Sequence, residues 1–217
     1  VFRPSNGAWY LLQSRNGFAT GQFGVSTDIP VPADYDGDGK ADLAVFRRGA
    51  DSTWYILQSS DGAFRTVQWG ATNNLQAILF DTPVPADYDG DGKADLAVWR
   101  TTDHLAEPGR FLILQSSDNS ARVQQWGSPF DTPVPADYDG DGRTDLAVYR
   151  SGNWYILRSG SNDLHAVSFG LPADSPVPAD YDGDGKADLA VVRRSEGKSI
   201  WYVLGSSRGF FGVQFGI

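Results

Sequence analysis

The segment Val31-Pro-Ala-Asp-Tyr-Asp-Gly-Asp-Gly-Lys-Ala-Asp-Leu-Ala-Val45 returns almost letter for letter at 84–98, 134–148 and 177–191. A chain that writes one phrase four times is committed to a repeat architecture, because a unit this small cannot bury a core alone and must stack on its neighbours. The first aspartates of the four copies are 53, 50 and 43 residues apart, and local insertions at 71–80 and 101–110 account for the longer spacings. Two shorter marks follow each phrase. The block Trp54-Tyr-Ile-Leu57 has counterparts at 9–12, 111–114, 154–157 and 201–204, and an aromatic-glycine pair closes each unit at Phe23-Gly24, Trp69-Gly70, Trp126-Gly127, Phe169-Gly170 and Phe215-Gly216. These marks occur five times, the long phrase only four.

Each unit reads as four short strands: the Pro-Val-Pro-Ala stretch, 43–47, 54–58 and 64–69, separated by glycine or polar turns. Eight of the twelve prolines fall in the first of these strands. Proline cannot donate to a ladder, so this strand pairs on one side only and is an edge. Radially packed four-stranded sheets of this length are the blades of a β-propeller. The expected fold is therefore all-β, a β-propeller of about five four-stranded blades in one repeat domain over 1–217. The units are 1–24 (partial), 28–70, 81–127, 131–170 and 174–217. Val1 aligns with Val45, so the first blade is expected to lack its inner strand and its copy of the aspartate loop. That gap fits excision from a longer parent or strand exchange with another subunit. The repeats count blade units and do not decide whether the ring closes.

Within Asp34-Tyr35-Asp36-Gly37-Asp38-Gly39-Lys40-Ala41-Asp42, carboxylates stand at positions one, three, five and nine, and position seven can offer its backbone carbonyl. Calcium takes six to eight oxygens at flexible angles, and alternate residues of a tightly wound loop can aim theirs at one centre. Glycine at position six (Gly39, Gly92, Gly142, Gly185) allows the sharp turn. The position-seven side chain is then expected to leave for solvent. Zinc is disfavoured by the lack of His or Cys, magnesium by the number of carboxylates. Sixteen of the 27 acidic residues lie in the four loops, so four Ca²⁺ would bring the formal charge of −9 close to zero. The EF-hand fails on one residue, since its loop ends in a glutamate where this chain has Val45, Val98, Val148 or Val191.

The phrase Asp-x-Asp-Gly-Asp-Gly-x-x-Asp-Leu, four times without a departure, with its strand and aromatic-glycine marks, resembles the FG-GAP (VCBS) repeat of integrin α-chain propellers, some fungal propeller lectins and many secreted bacterial proteins. The resemblance implies one Ca²⁺ in each of four loops. It carries the family's calcium residues to Asp34, Asp36, Asp38, Lys40 (carbonyl) and Asp42; to Asp87, Asp89, Asp91, Lys93 and Asp95; to Asp137, Asp139, Asp141, Arg143 and Asp145; and to Asp180, Asp182, Asp184, Lys186 and Asp188. It also implies a secreted or cell-surface location, with a glycan or a cell-surface protein as the expected partner.

The remaining residues narrow the function classes. Acidity argues against nucleic acid, which is bound by a basic face. No apolar run is long enough to span a bilayer, and Val1 opens without a leader, so no signal or anchor is expected in this segment. Cysteine is absent, which excludes disulfides and thiol chemistry. There are two histidines, His104 and His165, neither at a repeated position, and no nucleophile elbow, phosphate loop or zinc signature occurs. No catalysis is expected. The leading expectation is a calcium-binding module for structure, adhesion or recognition; a carbohydrate-binding lectin and an accessory module of a cell-wall or polysaccharide-degrading enzyme are the alternatives. Trp54, Trp154 and Trp201 are expected to pack in the core. Arginines at 3, 47, 100, 150 and 193 and aspartates at 28, 81, 131 and 174 suggest ion pairs from blade to blade. The apolar residues Leu75, Ile78, Leu79 and Phe80 suggest that the first insertion packs on a neighbouring blade.

Overall fold

The computed structural model describes residues 1–14, 16–49, 51–70, 73–74, 77–102, 107–195 and 197–214. Asp103, His104, the side chains of Leu75, Ile78, Leu79 and Phe80, and the last aromatic-glycine pair lie outside what is described. Among the described residues there is no helix. Five antiparallel sheets succeed one another as the blades of a β-propeller. The first holds β1 (Phe2–Arg3), β2 (Ala8–Gln13) and β3 (Gly17–Gln22), and the second β4 (Ile29–Pro30), β5 (Leu43–Arg47), β6 (Thr53–Leu57) and β7 (Phe64–Gln68). The third contains β8 (Asn73–Asn74), β9 (Ala77–Pro83), β10 (Leu96–Thr102), β11 (Arg110–Leu114) and β12 (Ala121–Gln125). The fourth is β13 (Thr132–Pro133), β14 (Leu146–Arg150), β15 (Asn153–Leu157) and β16 (Leu164–Ser168); the fifth is β17 (Ser175–Pro176), β18 (Leu189–Ser195), β19 (Lys198–Gly205) and β20 (Gly209–Gln214).

Strand order follows chain order in every blade, so each is a meander of hairpins. The first blade has three strands, as its missing inner strand implies. The third has five rather than four, because the insertion adds β8, which pairs with a lengthened β9. In the second blade Val31 donates its N–H to the Ala44 carbonyl at 2.9 Å. Pro30 and Pro32 flank it, and since alternate residues of a strand present their nitrogens to opposite sides, both rings sit where a donor would point away from the sheet.

The core lies between blades. Along β6 the side chains alternate, Trp54 and Ile56 turning to one face and Tyr55 and Leu57 to the other. The first face, with Phe46, packs on Leu96, Val98, Leu112 and Leu114 of the third blade. The same surface recurs where Trp99, Phe111 and Ile113 meet Leu146, Val148 and Leu157, and where Tyr149, Trp154 and Ile156 meet Leu189, Val191 and Leu204. Trp54 and Trp154 are fully buried, whereas Trp201 on the fifth blade is only partly so. In the third blade the indole changes strands: Phe111 stands at the usual tryptophan position and Trp99 lies opposite it. Trp99 still donates Nε1–H to the carbonyl of Trp126, as Trp54 does to Trp69 and Trp154 to Phe169.

The arginine and aspartate series pair, but within a blade. Arg47 meets Asp28 at 2.7 Å, Arg100 meets Asp81 at 2.7 Å, Arg150 meets Asp131 at 2.6 Å and Arg193 meets Asp174 at 2.8 Å. Each aspartate stands at the start of the inner strand and its arginine on the strand beside it, so Asp81 and Arg100 face each other directly across β9 and β10. What reaches back toward the previous blade is a hydrogen bond: Asp28, Asp131 and Asp174 also accept the N–H of Val25, Ser128 and Leu171 in the connecting turns.

Candidate metal centres

Each aspartate loop joins the inner strand of its blade to the next strand. Position nine is fixed first. Asp42 bridges to Ala33, Asp95 to Ala86, Asp145 to Ala136 and Asp188 to Ala179, and all four aspartates are buried. Their carboxylates accept the N–H of the position-two tyrosine, at 2.9 Å in the Tyr35–Asp42 pair. That tyrosine is anchored by its own hydroxyl, which donates to the carbonyl of Val31, Val84, Val134 or Val177. Burial, with the adjoining carboxylate, pushes the Tyr35 phenol well above its ordinary range.

Position one closes the turn. Asp34 accepts from Gly37 at 2.6 Å through Oδ1 and from Gly39 at 2.8 Å through Oδ2, and Asp87, Asp137 and Asp180 repeat the pattern. Both glycines have φ near +80° in every loop, so position four needs glycine as much as position six does. The result brings positions one, three and nine together. Ligand atoms of Asp34, Asp36 and Asp42 lie within 4.8 Å of one another, and so do those of Asp87, Asp89 and Asp95, of Asp137, Asp139 and Asp145, and of Asp180, Asp182 and Asp188. Position five stands outside each triad: Asp38, Asp91, Asp141 and Asp184 accept the N–H of the position-seven residue at 2.8 to 2.9 Å.

The arrangement suits a hard cation. Oxygens about 2.4 Å from a calcium ion can be no more than about 4.8 Å apart, the span of these triads. Asp182 supplies a second sign: its Oδ1 is buried and has no hydrogen-bond partner, an acceptor left over in a cluster of like charges. Burial also pushes the Asp95 and Asp145 carboxyls up, against the opposing pull of backbone N–H groups from Ser116 and Tyr88 and from Ser159 and Tyr138.

The position-seven side chains do not simply run to solvent. The stems of Lys93, Arg143 and Lys186 cross Gly37, Gly90 and Gly140 of the preceding loop closely enough that a Cβ there would lie within 3.0 Å. Lys40, with no loop before it, turns to Asp38 of its own loop at 2.8 Å and holds that carboxyl below its usual range. Backbones join as well: the N–H of Ala94, Thr144 and Ala187 donates to the carbonyl of Asp34, Asp87 and Asp137, each at 2.7 Å. The loops therefore form a hydrogen-bonded row across blades.

The sequence model of the FG-GAP-like repeat matches residues 34–98 and 137–191, more than half of the chain. The chain belongs to the FG-GAP-like repeat family. Each matched FG-GAP segment opens at the first aspartate of one loop and closes at the valine after the next, so the match covers all four loops. No curated protein matches the chain. FG-GAP-like repeats in a propeller fit a structural or recognition module, and the four aspartate triads of these repeats could hold metal ions.

A set of partners was not singled out in the sequence. The hairpin turns after β6, β11, β15 and β19 carry Ser59 and Ser60, Ser116 and Ser117, Ser159, and Ser206 and Ser207, and these serines bond to the loop aspartates. The signal was available, since serine stands two residues after the Trp-Tyr-Ile-Leu block in all five units. Serine in a turn attracts no notice, because turns favour it anyway.

Proposed function

We propose that this chain is an extracellular calcium-binding propeller module with a structural or recognition role and no catalysis. Each loop holds one Ca²⁺ through the carboxylates of positions one, three and nine, with position five and the position-seven carbonyl supplying further oxygens. The observation that carries this reading is the fourfold convergence of three carboxylates on one point, each triad including a buried aspartate. A cation between them relieves repulsion that would otherwise weaken each of the four blades that carry a loop. A structural role follows from the position: the loops bridge strands within blades and backbones between them. Millimolar calcium outside cells suits loops of this kind. Loop carboxylates tied to backbone N–H groups hold an ion well and move protons poorly.

Calorimetric titration of the chelated protein with calcium should give four sites. Filling them should raise the melting temperature by more than about 10 °C, given about 2.7 kcal/mol per site at a hundredfold excess over Kd. A melting curve that EDTA leaves unmoved refutes the reading.

A second reading, carbohydrate recognition, is favoured by one groove between the first two blades. Phe23, Val25, Arg47, Tyr55 and Phe64 line about 200 Å³ there. Phe64 is 60% exposed and stacked on Tyr55 with ring centroids 6.3 Å apart, a flat apolar face open to a sugar ring. A glycan array probed with the wild type and with Phe64→Ala tests it; equal signals from both, or none from either, dismiss the groove.

A further inference from the structure

Two consecutive serines reach three of the four metal centres. The first, Ser59, donates its N–H to Asp42 at 2.7 Å and its hydroxyl to Asp38 at 3.0 Å. The second donates its hydroxyl to Oδ2 of the position-three aspartate: Ser60 to Asp36 at 2.6 Å, Ser117 to Asp89 at 2.7 Å and Ser207 to Asp182 at 2.9 Å. The first serine is present in every loop-bearing blade. In the fourth blade Gly160 stands where the second should be. Asp141 Oδ2 fills the space, since a Cβ on Gly160 would lie 2.7 Å from it. Among the described residues Asp139 accepts only from the Asp141 N–H, at 3.3 Å.

The clamp divides the labour of one carboxylate. In the last centre Asp182 Oδ2 accepts three hydrogen bonds, from Ser207 N–H, Ser207 Oγ and Arg208 N–H, while Oδ1 is the buried atom without a partner. One oxygen is held and the other is left for a cation. A side chain fixed in this way has less rotamer freedom to lose when the ion arrives.

We propose that the second serine is a positioning residue for calcium, acting through the position-three aspartate, and that the centre beginning at Asp137, with Gly160 in its place, is the weakest of the four. The inference rests on the calcium reading above. Losing a partner of a metal ligand costs about 10- to 100-fold in affinity, so this centre should bind at least about tenfold more weakly than the others.

Calcium titrated into the chelated full chain should resolve three tight sites and one weak one. Asp139→Asn should abolish the weak class and so assign it. Ser117→Ala should convert three and one into two and two, while Ser117→Thr, which keeps the hydroxyl, should return toward three and one. Ser60→Ala and Ser207→Ala repeat the measurement at the other clamped centres, and melting in excess calcium confirms that each variant is folded. Four equal sites in the wild type, or folded serine-to-alanine variants that titrate like it, overturn the inference while leaving calcium binding intact. No heat from the wild type at any calcium concentration overturns both.

Discussion

Arg193 donates from Nε and Nη2 to the two oxygens of Asp174, each at 2.8 Å. These bonds hold the Asp174 carboxyl below its ordinary 3.8 against the opposing pull of burial, with the Leu171 N–H adding to them. Because the folded pKa is the lower one, the pair's stabilisation is present above the unfolded value and is lost as pH falls through the folded value. Arg193→Gln should therefore lower the melting temperature at pH 7 by about 4–8 °C, on the basis of about 2 kcal/mol for a hydrogen bond to a charged group. The gap from wild type should close as the buffer is taken below pH 3.8. Thermal melts across that series check it, and a gap independent of pH would assign the effect to Arg193 lying over the Tyr202 ring instead. Trp154 combines packing with one hydrogen bond, from Nε1–H to the Phe169 carbonyl at 2.8 Å. It is fully buried between the fourth and fifth blades, so Trp154→Ala should cost about 3–5 kcal/mol by chemical denaturation.

At the scale of elements, turns decide where strands end. Gly70 closes the second blade at φ +104°, and an added Cβ would approach Asp81 Oδ2 to 2.9 Å; Gly92 has φ +85° but open space around it. Both alanine variants meet the left-handed backbone cost of about 1–2 kcal/mol, and Gly70→Ala should lose measurably more in urea unfolding because it also disturbs the pairing of buried Asp81 with the partly exposed Arg100. Strands and loops were legible because their patterns are local: alternation in Trp-Tyr-Ile-Leu, and glycine at fixed places among aspartates. The indole of Trp99 was not, since it depends on what faces it across β10 and β11. Spacing alone could not part position five from positions one, three and nine either. Lys40 and Ser59 set the direction of Asp38, and neither belongs to the loop's alternation of carboxylates. The ion pairs were legible as partners but not as to blade, because the boundary between units falls between Gly24 and Asp28.

Across the whole molecule, protection by neighbours is uneven. Tyr35 is 3% exposed under the following blade, while its counterpart Tyr181 in the fifth blade is 36% exposed. On the receiving face of the first blade Leu12 is 86% exposed, where Leu57, Leu114, Leu157 and Leu204 are all half-buried. Stability in a repeat array follows nearest-neighbour contact, so amide exchange should begin in β1, β3 and β20 and come last in β5, β10 and β14. Mass spectrometry of exchange in calcium tests the order, and uniform rates across blades would contradict it. Four near-copies of one sequence in a single chain also carry a hazard, because any copy can substitute for another and neighbouring molecules can lace together during folding. The two prolines that bracket Val31, and those at the same places in the other three inner strands, remove donors from the side that would accept an intruder, so the most interchangeable strand is also the poorest template for polymerisation.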